Sequence, residues 1–182
     1  MNIEAKLKGS ARVKVLRDGE LVQDSGECNN ILVNNFFAGD RTFSQIAVGT
    51  GTTEPVITMT SLPGRVAAKS IESAVPVTKE VDGEFYVFKR KITSVFAVGA
   101  VVAVIANVGI EDFSYGLITA LLLKDSNDNP ITIPVTVEDQ LIVEYTLEVR
   151  VPWKVSTTIN VNGTPTVFDV IFTSNFSVRG DS

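Results

Sequence analysis

The segment Asp125-Ser126-Asn127-Asp128-Asn129 has the residue types and the alternate spacing with which a calcium-binding loop begins. Carboxylate and amide oxygens at the first, third and fifth positions are ligands that Ca²⁺ prefers. Such a loop also needs glycine at its sixth position and a carboxylate at its twelfth, where this chain has Pro130 and Thr136. Because aspartate and asparagine are also common turn residues, the departures favour a turn between two strands over a calcium site.

A second segment, Gly49-Thr50-Gly51-Thr52-Thr53, follows the strand-like residues 45–48 and has the glycine and hydroxyl content of a phosphate-binding loop. Phosphate loops open a helix and carry a third spaced glycine or a Gly-Lys-Ser/Thr ending. Neither ending is present, and Glu54-Pro55 follows where the helix would begin. We predict that this segment is a turn.

Pairs of acidic residues are a third source of chemistry, and they are Glu111 with Asp112, Glu138 with Asp139, and Glu144 with Glu148. A glycosidase needs two carboxyl groups about 5–10 Å apart in a cleft. The first two pairs are sequence neighbours in predicted loops, and the third pair lies on the predicted solvent face of a strand. We expect a hydrated surface for all of them, and a carboxylate-dependent hydrolase stays a third alternative.

The 182 residues include no histidine and one cysteine, Cys28. The lack of histidine excludes Ser-His-Asp and Cys-His nucleophiles and every zinc site that uses an imidazole. One cysteine cannot form an internal disulfide or a multi-cysteine metal centre. The sequence therefore predicts a protein that is not an enzyme, with no catalytic residue, no metal and no cofactor.

The formal net charge of −5 bears on the class of partner. Proteins that track nucleic-acid phosphates or bind anionic membranes need a local excess of lysine and arginine. The one basic run, Lys89-Arg90-Lys91, follows the aromatic-rich residues 85–88. That combination is found in single-strand binders, and charge also protects the edge strand of a sheet. We predict no nucleic-acid partner. No membrane partner is predicted either, because the longest apolar stretch, residues 95–106, is shorter than the ~20 residues of a spanning helix.

Period-two alternation dominates the chain and predicts β-strands. From Leu141 to Val151 every second residue is apolar, which is typical of a half-buried antiparallel strand. Residues 131–137 alternate in the same way, but Pro134 confines that strand to an edge or a bulge. Tight hairpin turns are predicted at three dipeptides, which are Asp18-Gly19, Asp82-Gly83 and Asn162-Gly163.

Helical signals are few. Residues 30–37 can form one or two turns capped by Asn29 or Asn30, and residues 61–73 are a weak candidate that Pro63-Gly64 interrupts. No long linker or repeat divides the chain. We therefore predict an all-β fold, an antiparallel sandwich or barrel with at most one or two short helices, as a single domain over residues 1–182.

The segment 95–106 (VFAVGAVVAVIA) is apolar at successive positions, so a strand there would be apolar on both faces. Such a strand must be covered on both sides. It is predicted to be a buried strand that lies either centrally in the core or under a neighbouring subunit. The second solution makes Val98, Val102 and Val104 candidate interface residues and predicts a homo-oligomer.

Four segments share their order and spacing with one known family. Residues 28–35 (CNNILVNN) resemble its NLITN segment, and residues 46–55 (IAVGTGTTEP) with Ser61-Leu62 resemble VGTGTTxP…TxL. Residues 96–111 are similar to FxxG…NxxEVG, and residues 123–150 are similar to LIKDSNGNPITI…LxVxYxLRV. The family is a widespread group of tailed-bacteriophage virion proteins, and the ordered match covers about residues 12–150.

This resemblance implies a non-enzymatic structural component of the particle, in the tail, neck, baseplate or capsid surface. Its implied partners are copies of itself and other virion proteins, and its implied location is the virion, assembled in the bacterial host cytoplasm. The lack of a signal-peptide core in residues 1–10 agrees with that expectation. The alternative is a host-surface or carbohydrate-binding module of a tail fibre or baseplate, for which Trp153 and Tyr115 are the candidate platform.

The Asn162-Gly163 turn gives a first testable prediction. If it closes a two-residue hairpin loop at positive φ, Gly163→Val should lower the free energy of unfolding by about 1 kcal/mol or more, because valine is strained in that conformation. Thr164→Ser is the control and should change little. Thermal denaturation measures both, and equal melting temperatures for Gly163→Val and wild type would rule out this turn.

Overall fold

The structure is a computed structural model, and it describes residues 6–37, 43–74, 76–161 and 164–171. Strands hold about 64% of the chain and helix about 2%, which confirms the all-β prediction. The elements are β1 (Lys6–Arg17), β2 (Glu20–Asn29), β3 (Ile31–Leu32), α1 (Asn34–Phe37), β4 (Gln45–Gly49), β5 (Arg65–Ser70), β6 (Ser73–Ala74), β7 (Thr78–Asp82), β8 (Phe85–Phe96), β9 (Ala103–Ile105), β10 (Asn107–Asp112), β11 (Gly116–Leu122), β12 (Ile133–Val135), β13 (Asp139–Pro152), β14 (Lys154–Val161) and β15 (Thr164–Ile171).

The strands form two larger sheets and two ribbons. The first sheet has the order β2-β1-β13-β8-β6, with β7 also paired to β8, and the second has the order β3-β11-β10-β4-β5. The ribbons are β9–β12 and β14–β15, and both are antiparallel. The chain divides into two compact units, one of residues 8–76 and 90–147 and the other of residues 1–7, 77–89 and 148–182. The borders fall inside β1, β8 and β13, and the single domain over 1–182 stays a prediction.

A sandwich core fills the larger unit. The first sheet contributes Val13 and Val15 from β1, and Leu141, Val143 and Tyr145 from β13, all fully buried. They pack against apolar side chains of the second sheet, which are Ile46, Val48, Val108, Ile110, Ile118 and Leu121. The alternation in residues 141–145 therefore predicted the buried face correctly.

The centre of the second sheet is buried on both faces. Every residue of β10 is buried, as is every residue of β11 after Gly116. One face meets the sandwich core, and the other is covered by a smaller cluster around Leu62, Val33 and Leu117. The strands β10 and β11 are therefore the doubly covered ones, as the near-continuous apolar run LITALLL of β11 requires.

The segment 95–106 corrects the prediction of one buried strand. β8 ends at Phe96, and Ala100 donates its N–H to the Ala97 carbonyl in a turn where Gly99 has φ of 71°. The chain then re-enters extended structure as the three-residue β9. A glycine at positive φ breaks the strand, which the apolar pattern alone did not indicate.

The predicted hairpins and helices have mixed outcomes. Asp18 and Gly19 have φ of 52° and 83° and close the β1–β2 hairpin as predicted. At the second site Asp82 pairs with Phe85, so the turn residues are Gly83 and Glu84, one position later than the dipeptide. Asn162-Gly163 lies outside the described residues, although the flanking Val161 and Thr164 are paired.

The short helix α1 confirms one helical turn, at residues 34–37 only; residues 31–32 form β3 and Asn29 ends β2, so capping by Asn29 or Asn30 is wrong. The second candidate, residues 61–73, is wrong, because β5 forms there and pairs with β4. Gly64 has φ of 59°, which redirects the chain after Pro63. Pairing with a buried strand then overrides weak helical propensity.

Tyr145 carries the largest fully buried side chain. The Asn30 side-chain amide donates to its hydroxyl, which is also hydrogen-bonded to Thr119 of β11. Burial raises the pKa of this hydroxyl above its ordinary value, so it is a neutral group in the interior. The hydroxyl therefore joins the two sheets by a polar contact inside an apolar core.

Tyr145→Phe should lower the free energy of unfolding by about 1–3 kcal/mol, because the Asn30 amide loses its buried acceptor. Tyr86→Phe, which removes a hydroxyl from a half-buried ring, is the control. Urea denaturation measures both variants. A Tyr145→Phe variant as stable as wild type would mean that the contact with Asn30 contributes nothing.

Candidate functional site

The glycine-threonine segment is clamped by its own chain. Thr50 and Gly51 donate their N–H groups to the carbonyls of Gly64 and Pro63 at 3.0 and 3.2 Å. The Asn107 side-chain amide donates to the carbonyls of Gly51 and Pro63 at 2.7 and 2.9 Å. The N–H groups of Thr50 and Gly51 are therefore already used within the chain, and because Gly49 ends β4 and residues 50–53 are irregular chain, the predicted turn is not confirmed.

Close packing explains the glycine at position 51. A Cβ there would lie 2.5 Å from the Pro63 Cβ and 2.7 Å from its carbonyl oxygen. Real Cβ atoms do not approach so closely, so a side chain at 51 would force residue 51 and Pro63 apart. The glycine therefore fits a chain crossing and not a ligand.

The segment 125–129 forms the predicted turn between β11 and β12. One carboxylate oxygen of Asp125 accepts the N–H groups of Asn127 and Asn129 at 2.8 and 2.9 Å, and the other accepts the Asn129 side-chain amide at 3.2 Å. Bonds from Asn129 and then Asn127 hold the pKa of Asp125 below its ordinary value. Within the described residues, no group of three or more histidine, cysteine or acidic side chains could hold a metal ion.

Lys124 connects this turn to two other segments of the resemblance. Its ammonium group is 3.0 Å from Glu54 and 3.3 Å from Asp128, and its carbonyl accepts the Cys28 thiol at 3.3 Å. The hydrogen bond to Glu54 is the main cause that raises the pKa of Lys124. A cavity of about 210 Å³ lies here, between residues 27–31, 54–55 and 120–128. Cys28, Glu54 and Asp128 thus all contact Lys124, and these contacts hold the loops together.

The expectation of a hydrated surface is wrong for Glu111, Asp112 and Asp139, which are buried. The Glu111 carboxylate binds Arg65 at 2.9 and 3.0 Å and the Gln45 amide at 2.7 Å. Asp112 accepts the N–H groups of its own turn. Burial is possible because each carboxylate is matched by donors, a condition that sequence spacing does not show.

The other acidic residues agree better with the expectation. Glu138 is exposed, and Glu144 lies half-buried on a sheet face between Lys14 and Lys91, each at 3.0 Å. Glu148 is bound by Arg150 at 2.7 Å. These contacts are ion pairs within the chain.

The basic run lies in β8, which is flanked by β13 on one side and by β6 and β7 on the other. Protection of an edge strand is therefore the wrong explanation. Lys89 is 2.9 Å from Glu80, and Lys91 is 3.0 Å from Glu144. Both lysines neutralise carboxylates across strands, where opposite charges stabilise the pairing.

Val98, Val102 and Val104 are all exposed, but only Val104 lies in the β9–β12 ribbon, while Val98 lies in the turn after β8 and Val102 directly before β9. Their exposed fractions are 60%, 64% and 51%. Val104 pairs with the exposed Pro134, and Gly99 packs against Val137, which is 66% exposed. We call Val98, Val102, Val104, Pro134 and Val137 the valine face. The alternation in residues 131–137 placed Val137 on the same face as Ile133 and Val135, which are buried, but β12 ends at Val135 and Val137 is exposed in the turn that follows.

An ion pair fixes the turn that carries Val137 of the valine face. Arg17 donates to both carboxylate oxygens of Asp139, at 2.9 and 3.2 Å. Asp139 also accepts the N–H and hydroxyl of Thr136 at 2.7 Å each. The Arg17 guanidinium and then these Thr136 donors lower the pKa of Asp139 to about 2. The turn that carries Val137 is therefore held by a charge in the buried Asp139.

The two candidate platform aromatics lie in different units. The Trp153 indole N–H donates to the Gly83 carbonyl at 3.0 Å, and its ring centroid is 6.4 Å from that of Tyr86, so the half-buried ring packs within its own unit. Tyr115 is 54% exposed, and Phe113 in the same turn is 70% exposed. Sequence reasoning missed Phe113, whose position in a β-turn predicts exposure.

Comparison with protein-family models, with curated proteins and with solved structures finds no match to this chain. Across the described ranges, none of the helical structure has the length and apolar character needed to cross a membrane. The geometry of the chain itself therefore has to support any proposal of function.

Acid should weaken the ion pair between Arg17 and Asp139. Because the folded-state pKa of Asp139 is about 2 and its ordinary value is 3.8, its contribution is fully present above about pH 4 and is lost as the pH falls toward 2. Asp139→Asn should lower the free energy of unfolding at pH 7 and flatten its decline between pH 4 and pH 2. Urea titrations at several pH values measure this, with Glu84→Gln, at an exposed carboxylate remote in sequence, as control. A deficit that stays the same down to pH 2 would contradict the assignment.

Proposed function

We propose that this chain is a non-enzymatic structural component of a tailed-bacteriophage particle, in the tail, neck, baseplate or capsid surface. It acts by self-association and by contacts with neighbouring virion proteins. The ordered resemblance of residues 12–150 supports the class of protein. The observation that carries the mode of action is the valine face, in which four valines in and beside the β9–β12 ribbon are more than half exposed.

The valine face is unfavourable in water. Burying a valine fully is worth about 1.5 kcal/mol or more, so covering the exposed part of each should contribute roughly 1 kcal/mol. A contiguous apolar patch of this kind marks an interaction site more often than single scattered residues do. A second copy covers it on every chain at once, which suits a protein used in many copies.

The motif residues support the same proposal by what they do in the fold. Asn107, the glycine-threonine segment and Lys124 hold loops by hydrogen bonds and ion pairs within the chain. Side chains used in this way specify a shape, and a structural protein depends on its shape. The segments of the resemblance therefore need no ligand to explain them.

The alternative is a host-surface or carbohydrate-binding module. The exposed rings of Phe113 and Tyr115 favour it, since aromatic faces with nearby polar groups stack on sugars. Trp153 gives less support, because its indole N–H is already bound to Gly83. Binding of the purified chain to a glycan array, lost in Tyr115→Ala, would favour this alternative.

Sedimentation velocity tests the proposal directly. The wild-type chain should sediment as a homo-oligomer at micromolar concentration, and Val102→Asp or Val104→Asp should shift it to monomer by placing a charge in the contact. Because these side chains are exposed in the isolated chain, each variant should keep the far-ultraviolet circular dichroism spectrum of wild type and unfold cooperatively, although at a lower temperature than the oligomeric wild type. Val81→Asp is the matched control, since Val81 is 65% exposed on β7.

A monomeric wild type over the micromolar range would contradict self-association. A second measurement addresses the particle itself, which is mass spectrometry of tailed particles purified from a culture that produces the chain. Peptides of the chain should remain with the particles through density-gradient purification. Their absence from such particles would overturn the virion assignment even if the chain self-associates.

A further inference from the structure

An Asp-Gly dipeptide forms the whole turn of the β1–β2 hairpin. Arg17 pairs with Glu20, which leaves Asp18 and Gly19 as the two central residues. Their φ angles of 52° and 83° are both positive, as in a type I′ turn. The Asp18 carboxylate and the Gly19 N–H have no hydrogen-bond partner among the described residues, and a Cβ placed on Gly19 would meet no atom within 4 Å.

An aspartate that precedes a glycine can react with its own main chain. The glycine nitrogen attacks the carbon of the side-chain carboxyl, a C–N bond forms, and one carboxyl oxygen leaves as water. Water then opens the five-membered imide ring, or succinimide, at either carbonyl and gives aspartate or isoaspartate, in which the main chain continues through the aspartate β-carbon. One water is lost and one is taken up, so no other reactant is needed. Glycine is the most reactive successor because it has no Cβ beside the attacking nitrogen.

Ring closure requires a change in one torsion angle of the aspartate. The imide ring holds ψ near the value of the first central residue of a type II′ turn, about −120°, whereas in a type I′ turn that ψ is about +30°. Both turn types have a positive φ at that residue, about +60°. Rotation of the peptide plane between Asp18 and Gly19 therefore brings Asp18 to the reactive geometry with its φ unchanged. Gly19 accepts the new φ, because both signs of φ are open to glycine.

This rotation breaks no hydrogen bond of the β1–β2 hairpin. The plane that rotates carries the Asp18 carbonyl and the Gly19 N–H, and neither has a partner within the described chain. The closing pair of Arg17 and Glu20 lies outside that plane. The folded chain can therefore reach the ring-closing geometry without opening either strand.

The second Asp-Gly dipeptide is held against the same reaction. Asp82 is the last residue of β7 and pairs with Phe85, so rotation of the plane between Asp82 and Gly83 would break the closing pair of the β7–β8 hairpin. The Asp82 carboxylate is bound by Arg150 at 2.9 Å. The Gly83 carbonyl accepts the Trp153 indole N–H at 3.0 Å. Two identical dipeptides therefore differ in the backbone position that each occupies in its turn.

We propose that Asp18 is a site of spontaneous covalent modification, at which the folded chain converts aspartate to isoaspartate through a succinimide, and that the fold protects Asp82 from the same reaction. This inference uses only the geometry of the two hairpins, so it does not depend on the proposed function.

The modification falls beside a structural ion pair. Isoaspartate adds one carbon atom to the main chain, so a turn of two residues no longer has the closing geometry of a type I′ turn. Arg17, the residue before it, donates to both carboxylate oxygens of the buried Asp139, at 2.9 and 3.2 Å. The converted chain should therefore have a lower melting temperature than the unconverted chain.

Labelling with heavy-oxygen water measures passage through the ring. The purified native chain is kept in this water at constant pH and temperature and is then digested with trypsin in ordinary water. Mass spectrometry compares the peptides that contain residues 18–19 and 82–83. Each ring opening places one heavy oxygen atom in the product, so heavy oxygen and isoaspartate should accumulate at Asp18 several-fold faster than at Asp82.

Two controls separate the effect of structure from that of the dipeptide. In guanidinium chloride, which unfolds both hairpins, Asp18 and Asp82 should react at similar rates. Gly19→Asn keeps the turn, because asparagine tolerates a positive φ, and it adds a Cβ beside the attacking nitrogen. Labelling at Asp18 should fall several-fold in this variant, and circular dichroism verifies that its fold is retained.

Three results would overturn the assignment of Asp18. They are labelling at Asp82 that equals or exceeds labelling at Asp18 in the native chain, labelling at Asp18 only after unfolding, and a Gly19→Asn variant that is labelled as fast as wild type. A converted fraction, separated by chromatography, that melts at the same temperature as the unconverted chain would overturn the effect on the Arg17–Asp139 pair.

Discussion

The double burial of β10 and β11 is the constraint on which the rest of the larger unit depends. A strand with apolar side chains on both faces must have a layer on each side, and one of those layers here is the first sheet. Residues 50–64 contribute to the other layer. They are irregular chain, so contacts other than strand pairing must hold them against the second sheet. The Asn107 amide and the close approach of Pro63 to Gly51 hold these residues in place, which explains the glycine in a segment with the composition of a phosphate-binding loop.

Two buried carboxylates at the edge of the core are also held by side chains from other strands. Asp139 and Glu111 are buried at the ends of strands, and each is bound in a two-point contact by an arginine from another strand. Bidentate pairs fix distance and direction together. In this fold they set the position of turns, and the Arg17–Asp139 pair holds the turn that carries Val137 of the valine face.

Strands and turns could be predicted from the sequence where a single physical cause determines the local structure. Alternation in residues 141–145 reports a single buried face, and Asp18-Gly19 reports backbone φ directly. The failures arise where causes compete. Residues 95–106 look like one buried strand, yet Gly99 turns the chain and exposes Val102; residues 65–70 look weakly helical, yet pairing with β4 makes them a strand. The burial of Glu111 depends on Arg65, 46 positions away, and no local pattern contains that information.

The single thiol gives this fold a built-in kinetic reporter. Cys28 is buried beneath the Lys124 turn, with its Sγ within hydrogen-bond reach of both the carbonyl and the N–H of Lys124. Because Cys28 is 3% exposed, a modifying reagent reaches it when the chain around it opens. The rate of alkylation therefore equals the intrinsic rate of the thiol multiplied by the equilibrium constant for local opening, when closing is fast. The alkylation rate of Cys28 thus measures local opening around the Lys124 turn, without any label added to the chain.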